Sequence, residues 1–227
     1  MLELERWRER LRERFAPSQS TCLVCFGELT NGLGWEDLLK QDDRLCGVCR
    51  KQLTELNTRY PVLEMPVRAI YLYTPFFENL IFQFKEANDL PLAPVFLEPY
   101  ATRLRWQLRH KVIVTVPSSP KRIATRGYIP VVTLFQAVGI KVLHPFEKDE
   151  IKQSNRSAKT RTLIHCHVRL TDVSVIAGKD VVLVDDVCTT GHSLKACYDL
   201  LKPHVKSLSC LVIAIHPELI SPLRARR

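Results

Sequence analysis

The run Val181-Val182-Leu183-Val184-Asp185-Asp186-Val187-Cys188-Thr189-Thr190-Gly191 lies late in a 227-residue chain and organises what precedes it. Four consecutive aliphatic residues predict a strand buried on both faces, as in a parallel sheet. Two carboxylates then stand at its carboxyl end, where open α/β sheets place their ligand sites. Thr189, Thr190 and Gly191 follow, and Leu194, Cys197, Tyr198 and Leu201 recur at helical spacing. A Gly-containing turn that feeds a helix N-terminus offers backbone N–H groups and a positive dipole end to an anion. Paired carboxylates beside such a cradle repel a bare phosphate. A ligand that also carries hydroxyls or a divalent cation removes the conflict, and a sugar phosphate does both. The plain alternative is a strand–turn–helix with exposed acids.

Working outward, Val112-Ile113-Val114-Thr115-Val116 is a second buried strand, closed by Pro117. Residues 67–73, 140–143 and 207–215 read as further strands, and residues 79–86 as a short helix. Strands alternating with helical segments predict a parallel, three-layer α/β domain. The loop after residue 116 holds Lys121, Arg122 and Arg126 around Gly127. Arg forks and backbone N–H groups both favour a pyrophosphate, although a basic loop is also an ordinary solvated surface.

Near the N-terminus, Cys22-x2-Cys25 and Cys46-x2-Cys49 are two knuckle-like pairs separated by twenty residues. Four thiolates at this spacing can close a tetrahedral Zn2+ site, which is structural because no coordination position stays open. Two disulfides are the alternative. The chain opens on an Arg/Glu-rich stretch rather than a secretory signal, so reduced thiols and a cytoplasmic setting are expected. Cys197 and Cys210 fall on apolar faces and read as core, Cys188 falls inside the turn, and Cys166 stands between His165 and His167 without a second spaced ligand pair.

The net charge of +9 is unevenly spread: residues 1–60 hold ten basic and ten acidic side chains, while residues 61–227 hold 23 and 14. Within residues 100–170, fourteen basic residues, Arg103, Arg105, Arg109 and Lys111 among them, face three acidic ones. That imbalance is the footprint of a polyanionic partner, or else of a solvated basic surface. Residues 2–15 alternate charges with Leu4, Trp7, Leu11 and Phe15 near helical spacing, which predicts an amphipathic helix. The chain has no run of eighteen apolar residues, so no membrane span is expected. The expected organisation is an N-terminal helix over 1–19, a cysteine module over 20–60 and an α/β domain over 61–227.

The acidic pair and Thr-Thr-Gly resemble the phosphoribosyl pyrophosphate (PRPP) motif of type I phosphoribosyltransferases. The acidic strand of a P-loop ATPase is excluded, because the chain contains no G-x-x-x-x-G-K-[ST]. The two cysteine pairs, Leu80-Ile81-Phe82-Gln83-Phe84-Lys85, the Arg126-Gly127-Tyr128 segment, and Gln153-Ser154 with Ser157 and Arg161 extend the likeness over residues 20–215 to the ComF family. The resemblance implies that Asp185 and Asp186 hold the ribose hydroxyls and Mg2+, and that Thr189, Thr190, Gly191, His192 and Ser193 wrap the 5′-phosphate. It implies that Lys121, Arg122, Arg126 and Gly127 meet the pyrophosphate or DNA, while the basic surplus points to Arg103, Arg105, Arg109 and Lys111 as contacts for single-stranded DNA. A role in natural competence is implied, with single-stranded DNA, a helicase-like competence protein and the recombination machinery as partners; the alternative is a PRPP-dependent phosphoribosyltransferase of nucleotide metabolism. Two departures stand out. Thr189 replaces an acid that many of these transferases use as a base, and Ile129-Pro130 replaces Asn-Gln after Arg-Gly-aromatic.

Overall fold

A computed structural model describes residues 21–29, 44–148 and 168–220. Packing divides the chain into two units, Met1–Lys51 and Gln52–Arg227. A short helix, α1 (Gly47–Gln52), runs across that boundary in the chain. The second unit continues with β1 (Glu55–Val62) and β2 (Met65–Leu72), joined through Leu63 and Glu64, both with positive φ. Then come α2 (Pro75–Glu86), α3 (Ala93–Leu97), α4 (Ala101–Leu108) and β3 (Val112–Thr115). They are followed by α5 (Pro120–Arg126), α6 (Pro130–Gln136), β4 (Phe146–Lys148), β5 (Val168–Leu170), β6 (Asp180–Cys188), α7 (His192–Leu201) and β7 (Ser207–Ile215).

The main sheet has the order β1-β2-β7-β6-β3, parallel except for β1. β6 and β7 lie inside it, which is why their sequences are nearly unbroken aliphatic runs. On one face, Val67, Ala69, Val181, Leu183, Cys210 and Val212 share a buried cluster with Leu194, Cys197 and Leu201 of α7. The alternating residues Ile70, Val182, Val184, Leu211 and Ile213 are equally buried, and α6 packs against β6. Each such Val, Leu or Ile side chain contributes about 1.5–3 kcal/mol of transfer free energy. Together these helices and the mostly parallel sheet make the expected three-layer α/β domain.

Most elements fall where the sequence places them, with instructive differences. α2 starts four residues before the expected 79, because Thr74 caps it: its Oγ1 accepts from Phe77 N at 3.3 Å, and Pro75 follows at the first turn. Residues 140–143 form no strand; one parallel bridge, Val114 to Leu143, is all that joins them to β3. Gly139, at φ +73°, and Pro145 leave too short a run between them. Residues 55–60, assigned by sequence to the cysteine module, belong to β1. Pro61 looks like a terminator in the sequence, but β1 is the edge strand, where a missing N–H donor is tolerated. The expected helix over 1–19 lies outside the described residues, as do Gln153, Ser154, Ser157, Arg161, His165, Cys166 and His167. Among the described residues, no helix is long and apolar enough to cross a membrane.

Candidate functional site

The parallel strands end together. Leu72 and Cys188 both pair with Ile215, so β2, β7 and β6 deliver their following residues to one edge of the sheet. Asp185 and Asp186 are half-buried near that end of β6. Asp185 Oδ1 accepts from Asp186 N at 2.9 Å, and Asp186 Oδ1 accepts from Val187 N at 2.7 Å. Successive strand residues point to opposite faces, so the two carboxylates diverge. Thr189 and Thr190 are exposed, and Gly191 holds the left-handed conformation at φ +79° immediately before α7. A Cβ on Gly191 would lie 2.6 Å from Val62 Cγ1, so glycine is required by both space and conformation. Gly191 has no side chain to cap α7, and a helix N-terminus offers first-turn N–H groups and a positive dipole end of the kind that suits an anion.

The end of α2 reaches this site, and the sequence reading assigned it no role there. Lys85 Nζ donates to Asp186 Oδ2 at 2.7 Å, with side-chain exposures of only 19% and 15%. The neighbouring Glu86 pairs with Arg126, and Phe84 O accepts from Tyr128 Oη. One helical turn therefore ties the acidic pair to the basic segment after β3. That segment is largely α5 itself. Ser119 Oγ accepts from Arg122 N at 3.3 Å, and Gly127, at φ +80°, caps the other end through its N–H to Ile123 O. Lys121 and Arg122 are exposed, whereas Arg126 is 10% exposed and committed to Glu86. The structure thus separates cations that the sequence grouped.

Two aromatic groups complete the edge, neither legible as site residues beforehand. His216 N donates to Cys188 O at 2.9 Å, which sets His216 beside Thr189, and its ring lies 6.0 Å from that of Tyr73. Burial pushes the Tyr73 phenol up, assisted by Glu78 and by the field of Asp186. Burial, with a contribution from Asp185, raises the Cys188 thiol to about 12, so it is core rather than a nucleophile. Cys197 is fully buried, and Cys210 is likewise raised to about 12 by burial.

Arg103 and Arg105 on α4, with Arg109 and Lys111 just beyond it, are exposed. Trp106 joins them at 64% exposure, with the Arg109 guanidinium carbon 5.3 Å from its ring centre. Between Glu98 and Glu147 the chain has eight Lys and Arg and no acidic residue.

In the other unit, the sulfurs of Cys22, Cys25, Cys46 and Cys49 all lie within 4.8 Å of one another, and none is in a disulfide. Val24 N donates to Cys22 Sγ at 3.5 Å and Cys49 N to Cys46 Sγ at 3.4 Å, while Phe26 turns through φ 58°. Burial raises Cys22, but the backbone N–H groups of Cys25, Cys46 and Val24 outweigh it and bring the thiol to about 7. Cys49 moves up through burial and the neighbouring thiols. A tetrahedral ion with metal–sulfur bonds of about 2.3 Å sets its sulfurs roughly 3.8 Å apart, and Cys25 and Cys46 stand at 3.6 Å. The cluster can hold a metal ion.

The model of the phosphoribosyl transferase domain family matches residues 123–225, taking in the acidic pair, the Thr-Thr-Gly turn and α7. Competence protein ComFC of Bacillus subtilis is 22% identical over 203 residues, covering 76% of this chain and 85% of that protein. Competence protein ComFC of Streptococcus pneumoniae is 26% identical over 208 residues, covering 80% and 93%. Among solved structures, a hypoxanthine phosphoribosyltransferase from Staphylococcus aureus aligns at TM-score 0.34 and 17% identity over 54% of this chain and 65% of its own, just under two thirds. An adenine phosphoribosyltransferase aligns at TM-score 0.38 and 16% identity over 61% and 78%. The chain is thus similar to the phosphoribosyl transferase domain family over residues 123–225 and to the competence proteins ComFC over most of its length, and it carries a four-cysteine cluster.

Proposed function

We propose that this protein binds PRPP, or a sugar phosphate of the same chemistry, at the carboxyl edge of its sheet and serves natural competence. The observation that carries the reading is Gly191: a left-handed glycine, admitting no Cβ, opens a helix next to two half-buried carboxylates. In this reading Thr189, Thr190, Gly191, His192 and Ser193 surround the 5′-phosphate, and Asp185 and Asp186 accept from the ribose hydroxyls. Lys121, Arg122 and the cap at Gly127 face the pyrophosphate, while Arg126 acts through its pair with Glu86. Mg2+ bound with the ligand supplies further positive charge at the pyrophosphate. Zn2+ is assigned to Cys22, Cys25, Cys46 and Cys49, because four thiolates suit a soft, closed, structural site. Thr189 cannot titrate near neutral pH, so binding is better supported than turnover.

The competence role is carried over from the relatives named competence protein ComFC, and a cytoplasmic setting is proposed from the reduced-thiol reading of the cysteines. Single-stranded DNA is the second ligand of this reading, with a helicase-like protein and the recombination machinery as partners. The exposed Trp106 beside Arg109, in a stretch without acids, favours it, since a basic face with an aromatic platform suits a single strand.

Calorimetric titration of PRPP with Mg2+, into the wild type and into Asp185→Asn/Asp186→Asn, tests the first reading. Saturable binding that the double variant loses is the expected result. Equal binding by both proteins removes the acidic pair from the site.

A further inference from the structure

We propose that Arg68, flanked by Arg59 and Arg103, is a second anion site that takes a backbone phosphate of single-stranded DNA on the face of the sheet opposite α7. The choice of ligand rests on the single-stranded DNA reading above; the site itself is separate from the sugar-phosphate edge. Arg68 lies on β2 four residues before Leu72, roughly 13 Å of strand from that edge. Its neighbours Val67 and Ala69 share the cluster with α7, so Arg68 points the other way, towards α4. There its half-buried guanidinium is firmly held. Nε and Nη2 donate to Asn57 Oδ1 at 3.2 and 2.5 Å, and Nη1 donates to Gln107 Oε1 of α4 at 2.6 Å. These bonds use three of the five N–H donors of an arginine, and one N–H remains on each terminal nitrogen for an oxyanion.

The charge around Arg68 is one-sided. Arg59 stands directly opposite it on β1, a cross-strand pair of like charges that costs stability. Burial, then Arg103, then Arg59 lower the Arg68 pKa, and Tyr100 opposes them. Among the described residues, no carboxylate forms an ion pair with Arg59, Arg68 or Arg103. A partly buried guanidinium is ordinarily balanced by a carboxylate. Here two neutral amides orient it among like charges, an arrangement that an external oxyanion balances. The site is also continuous with the aromatic platform. Arg103 precedes Trp106 by one helical turn on α4, and Gln107, which holds Arg68, follows Trp106 directly. A strand that stacks a base on Trp106 beside Arg109 can therefore set a neighbouring phosphate on Arg68.

The test is anisotropy titration of a labelled oligothymidylate across a salt series, with wild type, Asn57→Asp, Arg59→Met and Arg68→Met. Asn57→Asp keeps the oxygen that seats Arg68 but sets a carboxylate against it, and Asp tolerates the φ of +44° at this position. This variant is expected to bind about tenfold more weakly, the scale of one charge-assisted hydrogen bond. Its plot of log affinity against log salt should be shallower by about 0.7, the share of one phosphate contact on a single strand. Its unfolding midpoint should be no lower than that of the wild type, which separates lost binding from lost structure. Arg59→Met and Arg68→Met should each lose affinity and slope on the same scale. Unchanged affinity and slope in Asn57→Asp and Arg59→Met overturn the proposal and leave Arg68 a structural tie between β1 and α4. Calorimetric titration of inorganic phosphate at constant ionic strength distinguishes the source of the anion. Phosphate binding as tight as that of the oligonucleotide, and lost in Asn57→Asp, would assign the fork to free phosphate and overturn the DNA contact. Failure of the wild type to bind the oligonucleotide at any salt removes the single-stranded DNA reading itself, and this inference with it.

Discussion

Gly191 shows what one residue can decide. Its φ of +79° is the left-handed region, and Val62, whose Cγ1 a Cβ would strike, is 2% exposed and cannot swing aside. Gly191→Ala is expected to cost about 1–3 kcal/mol of unfolding free energy from conformation alone, with the overlap adding to it. Chemical denaturation measures the loss, and PRPP titration of the variant should show weakened binding as the turn shifts. An unchanged midpoint would mean that the turn adopts another conformation at no cost. At this scale legibility depended on sequence distance. Asp185, Asp186 and Gly191 were readable because strand end, turn and helix start are neighbours in the chain. Lys85, Tyr73 and His216 were not, because a lone Lys, Tyr or His acquires meaning only when other elements carry it to the same edge.

Among the elements, the two cysteine knuckles make the sharpest contrast with the core cysteines. The knuckle sulfurs converge within 4.8 Å, whereas Cys188 and Cys210 are buried thiols raised to about 12. Chelation of the purified protein at neutral pH is expected to release one Zn2+ per chain and to expose four additional thiols to an alkylating reagent, with Cys188, Cys197 and Cys210 still protected. Metal analysis and mass spectrometry of the alkylated peptides report both outcomes. Four thiols already reactive in untreated protein, with no metal released, would make the cluster a set of reduced thiols. The knuckle spacing was legible because ligand chemistry demands it. β1 was not, because Pro61 looks like a break until β2 pairs with that strand at the edge of the sheet. α2 was found but begun late, since the Thr74 cap lies before its apolar repeat.

Over the whole molecule, the charge surplus belongs to residues 61–227, and its acid-free centre spans the interval between Glu98 and Glu147. If α4 contacts single-stranded DNA, Arg103→Ala/Arg105→Ala/Arg109→Ala should weaken binding for every sequence and make the plot of log affinity against log salt shallower by about 2. Trp106→Ala should cost about 1–3 kcal/mol through lost stacking and leave that salt slope nearly unchanged. Anisotropy titrations across a salt series measure both; unaltered affinity in the arginine variant would make this face merely solvated. By itself, the sequence determined the parallel α/β core, the turn before α7 and the cysteine spacing, because each follows from periodicity or ligand chemistry within one short segment. Only the tertiary structure decided which cations serve which acids. It paired Lys85 with Asp186 and Arg126 with Glu86, and set His216 beside Thr189. Those pairings depend on strand order and register, which bring together residues that no local rule connects.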